Sequence, residues 1–567
     1  MKIFACVLAP VILALAAGGA GAAPPAAPPI SWITWTTVVN NGDFMPTEIC
    51  DPADPVNCRT FNSYNQPSVN TGRLVVFRAR SKGGGALGEP VHGIYTRDMS
   101  SGAAIVRIFD RDTQVPGPNN RNTTFTEPPS FPRIDMNADT VVTRGNHQPV
   151  WQVTNDAGEV AEQVGTSGIY ANPYGSLLTA ASRLGSGAGF GFFDVPEAAG
   201  IAFDVFPGAP AITGGDMVVF KGNYTDANQV ARTGVYYRQL SDSPVELPDG
   251  SFLYPAAGDQ PVVLIANSST TLIPGSDRVF GSTAPPSAAN HLAVFAGFDN
   301  EDDPTLGGIY LVPLAGSTPN LTTLVSIGGQ VPGQNSKAVF NQLGEGVSFD
   351  GRFVGFWGAW GSETKTLVLQ CPAEGNKDRV AFCNEHYPDG FGVQVPLHQG
   401  IFVHDIQTGQ TRVVTRTPED FDDFLYWNFS GHVPAMGEGD GEPARWRASA
   451  FLAVSSSGAG NSSANATFKV AYKARRGAVE SGTYVDPVDG IYLQSGPGQS
   501  LKWTLVETGM PGTILDPEAV DAATGATLPV TEMGIERDGF RGTSIVVNAS
   551  MGTEETGWAG IYLGEVR

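Results

Sequence analysis

The chain has 567 residues, only 16% of them charged, with 70 glycines, 42 prolines and a formal net charge of −22. So much turn chemistry and so little charge exclude a chain built on long amphipathic helices. The acidity, with no basic stripe, excludes a nucleic-acid-binding footprint and leaves a protein or a glycan as the expected partner of a monomer.

The chain opens on a targeting pattern. Lys2 precedes the apolar run Ile3 to Ala17, and Ala20-Gly21-Ala22 is a small-residue cleavage site. Residues 1–22 therefore read as a signal peptide and 23–31 as a proline-rich leader, which predicts a secreted or periplasmic protein. The apolar run is too short for a membrane anchor, and no second run of spanning length follows.

Beyond residue 31 the sequence repeats. A strand of pattern Φ-V-x-F leads through a loop to Gly-Ile-Tyr, and then to an apolar strand that ends near Pro-Gly. The Φ-V-x-F strands start at Leu74, Thr140, Met217, Leu292, Phe353, Lys469 and Ser544. The matching Gly-Ile-Tyr-type triplets start at Gly93, Gly168, Gly234, Gly308, Gly400, Gly490 and Gly560. A further short strand stands before most copies, as at Ala211-Ile212 and Val347-Ser348-Phe349. Four strands per repeat in seven repeats predict an all-β fold, a seven-bladed β-propeller occupying residues 32–567.

The two ends of the chain predict how the ring closes. The seventh copy stops after its third strand, at Leu563 to Arg567. Trp35-Thr36-Thr37-Val38-Val39, followed by Phe44-Met45-Pro46, matches the fourth-strand segment Trp503 to Pro511 of the sixth copy. The N-terminal strand is thus expected to complete the last blade and remove two exposed edges.

One repeat carries a family likeness. Ser348-Phe349-Asp350-Gly351-Arg352-Phe353-Val354-Gly355-Phe356, with Ile401-Phe402-Val403-His404-Asp405 and Thr408-Gly409, resembles the repeat of TolB-type propellers. In that family a Ser-Pro-Asp-Gly turn precedes a strand, and an Ile-Tyr-x-x-Asp strand ends at Thr-Gly. Phe349 replaces the family's proline. The resemblance implies a propeller that binds protein or ligand and supplies no catalytic residues.

Repeats of roughly 78 residues exceed the compact 40–45 of small blades, and the excess lies in loops. The largest insertions are residues 364–395 and 417–448. The first holds Cys371 and Cys383. With Cys50 and Cys58 these suggest two short-range disulfides, since their spacing is foreign to a zinc knuckle. The second insertion offers Tyr426, Trp427, His432, Arg445 and Trp446 as candidate binding residues. Those aromatics either present a binding surface or cap the blade edge as a satellite core.

Chemical motifs are sparse. There is no Gly-x-Ser-x-Gly elbow and no His-Glu-x-x-His, and Gly83-Gly84-Gly85-Ala86-Leu87-Gly88 lies between strands with no helix after it. His92 and His398 both stand just before a Gly-Ile-Tyr-type strand. Asp299, Glu301, Asp302 and Asp303 share one loop and are the chain's best candidate for a calcium ion, although the sequence requires no cofactor. The sequence therefore supports a binding or scaffold module for a protein or glycan. The alternative is a propeller hydrolase or lactonase with a carboxylate or calcium site in the central channel.

Overall fold

A computed structural model describes residues 33–566 apart from 47–57, 84–88, 121, 150, 155–156, 165–166, 244, 247–251, 254–257, 317–318, 374–375, 432, 434–442, 457–465, 497–500 and 554–556. Seven antiparallel sheets stand in a ring, one for each copy of the repeat. Blade 1 runs Phe61–Tyr64 with Ser68–Val69, Leu74–Ser81, His92–Asp98 and Val106–Asp110. The innermost pieces of all seven blades are Ser68–Val69, Arg133–Ile134, Ala211–Thr213, Ser287–Ala289, Ser348–Phe349, Leu452–Ser456 and Phe540–Arg541. Each touches the next in that order, and Phe540–Arg541 touches Ser68–Val69, so the ring is closed.

The ring closes by strand pairing between the two ends of the chain, as the sequence predicts. Trp35–Asn40 pairs antiparallel with Trp558–Glu565, with Thr37 opposite Tyr562 and Val39 opposite Ile561. Val38 and Val39 are fully buried there, beside Val546, Leu563 and blade 1 residues Phe61, Val75 and Phe77. The core as a whole lies between neighbouring blades. Val76, Ile94 and Phe109 of blade 1, for example, pack on Ile134, Val141 and Tyr170 of blade 2.

The repeat's glycine and tyrosine have one joint cause. The tyrosine ring folds back across the backbone two residues before it. A Cβ on Gly93, Gly234 or Gly560 would stand 2.6, 2.4 or 2.5 Å from the hydroxyl of Tyr95, Tyr236 or Tyr562, so no larger residue fits. In blades 1 to 4 the ring then receives the edge of a phenylalanine from the segment entering the blade. Phe61–Tyr95 centroids are 5.1 Å apart, Phe125–Tyr170 4.9 Å and Phe280–Tyr310 5.3 Å, all near perpendicular. The Φ-Pro-Gly turn places that phenylalanine. Val331 N–H donates to Ala338, and Phe340 N–H donates back to Gly329, at 2.9 Å each.

Antiparallel alternation puts the second-to-third and fourth-to-first connections of every blade on one face. The remaining turns are on the other. Both large insertions belong to the first face. Residues 364–395 extend the second and third strands of blade 5 into a long hairpin, Phe353–Leu369 with Phe391–Asp405, paired as far as Leu369 opposite Phe391. Its end carries the helix Lys377–His386, capped by Asn376 and tied by the Cys371–Cys383 disulfide. Cys58 is also disulfide-bonded, while Cys50, its expected partner, lies outside the described residues. Residues 417–448 contain a second hairpin, Tyr426–Ser430 with Arg445–Ser449, where the sequence suggests only a loop. No helix among the described residues is long and apolar enough to cross a membrane.

Candidate functional site

The 417–448 insertion is held by a buried acid. Asp423 is fully buried and accepts from the backbone N–H groups of Phe424 and Leu425, from Gln399 Nε2 at 3.0 Å and from the Tyr484 hydroxyl at 2.6 Å. Lys365 lies 3.2 Å away. Strand alternation then sends Tyr426 and Trp427 to opposite sides of the hairpin. Tyr426 packs under Lys473 and Arg475, whose charged ends stand 4.1 and 4.9 Å from its ring centroid. Burial pushes its hydroxyl pKa well up. Trp446 sits edge-on to Phe429 at 5.4 Å. Both rings are half-buried and pack within the insertion or against blade 6. Trp427 packs on the core between blades 5 and 6 and also lines a pocket; its Nε1, like the Tyr426 hydroxyl and Trp446 Nε1, is buried with no hydrogen-bond partner among the described residues. His432 lies outside the described residues.

Arg445 joins the two candidate sets that the sequence keeps apart. Its guanidinium pairs with Glu301 and, at 2.9 Å, with Asp302. Asp299 is engaged inside its own loop. It accepts from the N–H groups of Thr305 and Leu306 at 2.9 Å each, from the Thr305 hydroxyl at 2.6 Å and from Arg278 at 2.7 Å. Burial would raise the Asp299 pKa, but these donors hold it below the usual range. Asp303 donates its N–H to Asn300. Among the described residues no group of three or more His, Cys, Asp or Glu is arranged to hold a metal ion. His92 and His398 have separate neighbours, Arg78 at 3.4 Å and Glu363 at 3.0 Å.

The centre of the ring is filled by a cross-channel ion network. Arg133 of blade 2 is fully buried and donates from Nε to Asp538 of blade 7 at 2.5 Å. It also donates to the Pro286 carbonyl at 2.7 Å and to Ser287 Oγ at 3.0 Å in blade 4. Arg541 pairs with the other Asp538 oxygen and reaches the Phe349 carbonyl of blade 5 at 3.1 Å. Burial alone would raise the Asp538 pKa, yet Arg133 and Arg541 outweigh it and hold the carboxylate below its usual range. An acid clamped between two guanidiniums is a structural tie, unsuited to acid–base work.

Above this network lies a pocket of about 420 Å³. The inner strands run from the elaborated face inward, so Phe131 and Arg537 stand one level above Arg133 and Asp538. Its walls include the aromatic residues Phe131, Trp357, Trp427 and Phe451 and the polar residues Gln342, Glu345, Glu536 and Arg537. Arg537 donates to Glu536 at 2.9 Å and to the Pro285 carbonyl at 3.2 Å. Only Trp427 of these is among the residues the sequence singles out. Trp357 comes from the second strand of blade 5, and the others come from the two-piece inner strands of blades 2, 5 and 7 and from the start of blade 6; no local motif marks them.

No protein-family model matches the chain, and no curated protein matches it. A Trypanosoma rangeli sialidase in complex with sialic acid is similar with a TM-score of 0.34 and 7% identity, over 95% of this chain and 60% of the sialidase. A polysaccharide lyase has a TM-score of 0.27 and 9% identity, over 56% of this chain and 58% of the lyase. An α-L-arabinofuranosidase from Podospora anserina in complex with cellotriose has a TM-score of 0.21 and 8% identity, over 66% of this chain and 92% of that one. The chain spans about 60% of the sialidase's length, and at these values the likeness carries nothing about substrate.

Proposed function

We propose that the protein is a glycan-binding propeller whose site is the pocket at the channel mouth, with Trp427 as its aromatic platform. The pocket itself supports this reading. At about 420 Å³ it falls in the range of small-ligand sites, ~300–1,000 Å³, whereas a protein partner needs a broad surface of about 800 Å² per side. Partly exposed aromatic rings suit the apolar faces of sugars, and the amides and carboxylates beside them suit hydroxyl groups. The TolB-type resemblance of the fifth repeat agrees with a binding role. The neutralised Asp538 weighs against a carboxylate enzyme in the channel.

The test is an array of neutral and acidic oligosaccharides probed with the purified protein, followed by calorimetry on the hits. Trp427→Ala should weaken binding at least ten-fold, while Trp446→Phe, in the hairpin's own core, should leave it within two-fold. Equal affinity of the Trp427→Ala protein and the parent, with both folded, would remove the pocket from the assignment.

A further inference from the structure

We infer that the elaborated face carries an oxyanion subsite, built by Arg78, Arg80 and Arg111 of blade 1, which receives a sulfate ester or a carboxylate on a glycan seated in the pocket. The inference rests on the glycan-binding reading and names the class of glycan.

Strand pairing brings the cluster together. Arg78 and Arg80 alternate on Leu74–Ser81 and so share one face of blade 1. Ile94, opposite Arg78 in the register, packs against blade 2, which shows where that face is turned. His92 stands opposite Arg80, and its Nδ1 lies 3.4 Å from Arg78 Nη2. Arg111 follows Asp110, which pairs with Gly93, so it reaches the same edge from the fourth strand. These are the strand ends that open on the elaborated face.

The charge there is unbalanced. Burial pushes the His92 pKa down, and Arg78, Arg80 and Arg111 push it the same way, against Glu127 of blade 2 alone. Burial lowers Arg78 as well, with Arg80 adding to it and Glu127 opposing. Arg78 donates to the Pro128 carbonyl at 2.5 Å and to Asn65, and Arg80 donates to Ser63 Oγ at 2.7 Å, all neutral acceptors. Among the described residues none of the three arginines has a carboxylate within salt-bridge distance. Elsewhere the chain, with 56 acidic residues to 34 basic ones, pairs its inner arginines with acids, as at Arg133, Arg352, Arg475 and Arg476. Like charges gathered around one carboxylate repel. An oxyanion that accepts from two guanidiniums removes that repulsion and gains charge-assisted hydrogen bonds.

The cluster borders the pocket. Pro128, held by Arg78, stands three residues before Phe131 of the pocket wall, a span of at most about 11 Å of extended chain. Arg80 is exposed, and Arg111 and His92 are half-buried, so the edge is open to a ligand. A chain of a few sugar units with one ring beside Phe131 reaches the guanidiniums on the blade 1 side, away from the blade 5 insertions.

The test is calorimetry on the full protein with galactose and glucose oligomers in three matched forms, neutral, oxidised to the uronate at C6, and sulfated at C6, and with sodium sulfate alone. The uronate or the sulfated form should bind at least ten-fold more tightly than the neutral one, and whichever binds better identifies the substituent. The Arg80→Gln/Arg111→Gln protein should lose that preference. Lys337→Gln/Arg412→Gln, which removes the same two charges from exposed positions on the side of blades 4 and 5, should keep it. Neutral oligomers bound as tightly as acidic ones by the parent overturn the subsite. So does a preference that survives Arg80→Gln/Arg111→Gln in folded protein, or one that also vanishes in Lys337→Gln/Arg412→Gln, since the cause would then be the general field. Sodium sulfate bound by the parent and lost in Arg80→Gln/Arg111→Gln, with no oligomer bound, upholds the oxyanion subsite and discards the glycan-binding reading. Failure of every probe overturns both.

Discussion

Replacing Asp538 by Asn should destabilise the whole ring. The carboxylate is the shared counter-ion of Arg133 and Arg541, and these arginines reach carbonyls of blades 4, 5 and 6. Removing one member of a buried ion network costs about 3–5 kcal/mol, because the remaining charges stay buried. An unfolding entropy of ~2.1 cal/mol/K per residue over roughly 530 residues gives about 1.1 kcal/mol/K. The expected loss is therefore about 3–5 °C in Tm, small in degrees because the molecule is large. The pH dependence has a fixed sign. A carboxylate whose folded pKa lies below its unfolded value, about 3.9, contributes stability that is complete above that pH. That contribution fades as pH falls toward and through the folded value, so the gap between parent and Asp538→Asn should be full at pH 7 and shrink below about pH 3.9. Scanning calorimetry at both pH values measures it, with Asp302→Asn as an exposed control expected to shift Tm by under 1 °C. A shift of under 1 °C for Asp538→Asn, or one equally large in acid, would refute the reasoning.

Two further outcomes follow from the fold. Gly234→Ala should cost about 1–3 kcal/mol by forcing the buried Tyr236 ring aside, since the new Cβ stands 2.4 Å from its hydroxyl; Gly187→Ala, with nothing within 4 Å, should leave urea unfolding unchanged. Deleting residues 33–40 removes Val38 and Val39 from the core and exposes the edge of Trp558–Glu565. Burial of two valines is worth about 3–6 kcal/mol, and an open edge recruits other chains, so light scattering should show self-association; a truncated protein that stays monomeric with an unchanged transition would disprove the closure argument.

The repeat was legible because Φ-V-x-F and Gly-Ile-Tyr each fix a half-buried strand, and seven of them at similar spacing leave few architectures. The ring closure was legible in Trp35 to Val39 for the same reason. The two-piece inner strands were not, because segments as short as Arg133–Ile134 show no period. The partner of each tyrosine was hidden as well. Phe61, Phe125 and Phe280 lie at irregular distances from their rings, set by the lengths of the turns before them. The pocket is the extreme case, for Phe131, Glu345 and Arg537 meet only once the ring has closed. Trp427 stands out through composition, an aromatic in a long insertion, but the same signal points equally to Tyr426 and Trp446, which line no part of this pocket.

The alternation of the strands also fixes which way the molecule looks. Trp35–Asn40 starts, and Trp558–Glu565 ends, on the face of the first-to-second and third-to-fourth connections, because they are the fourth and third strands of one blade. The pocket and both large insertions open on the opposite face. A tag, a bead or a carrier joined to either end of the described chain therefore grips the molecule from behind. It leaves the pocket turned outward and unshadowed, so surface-captured protein should read ligands as well as protein free in solution.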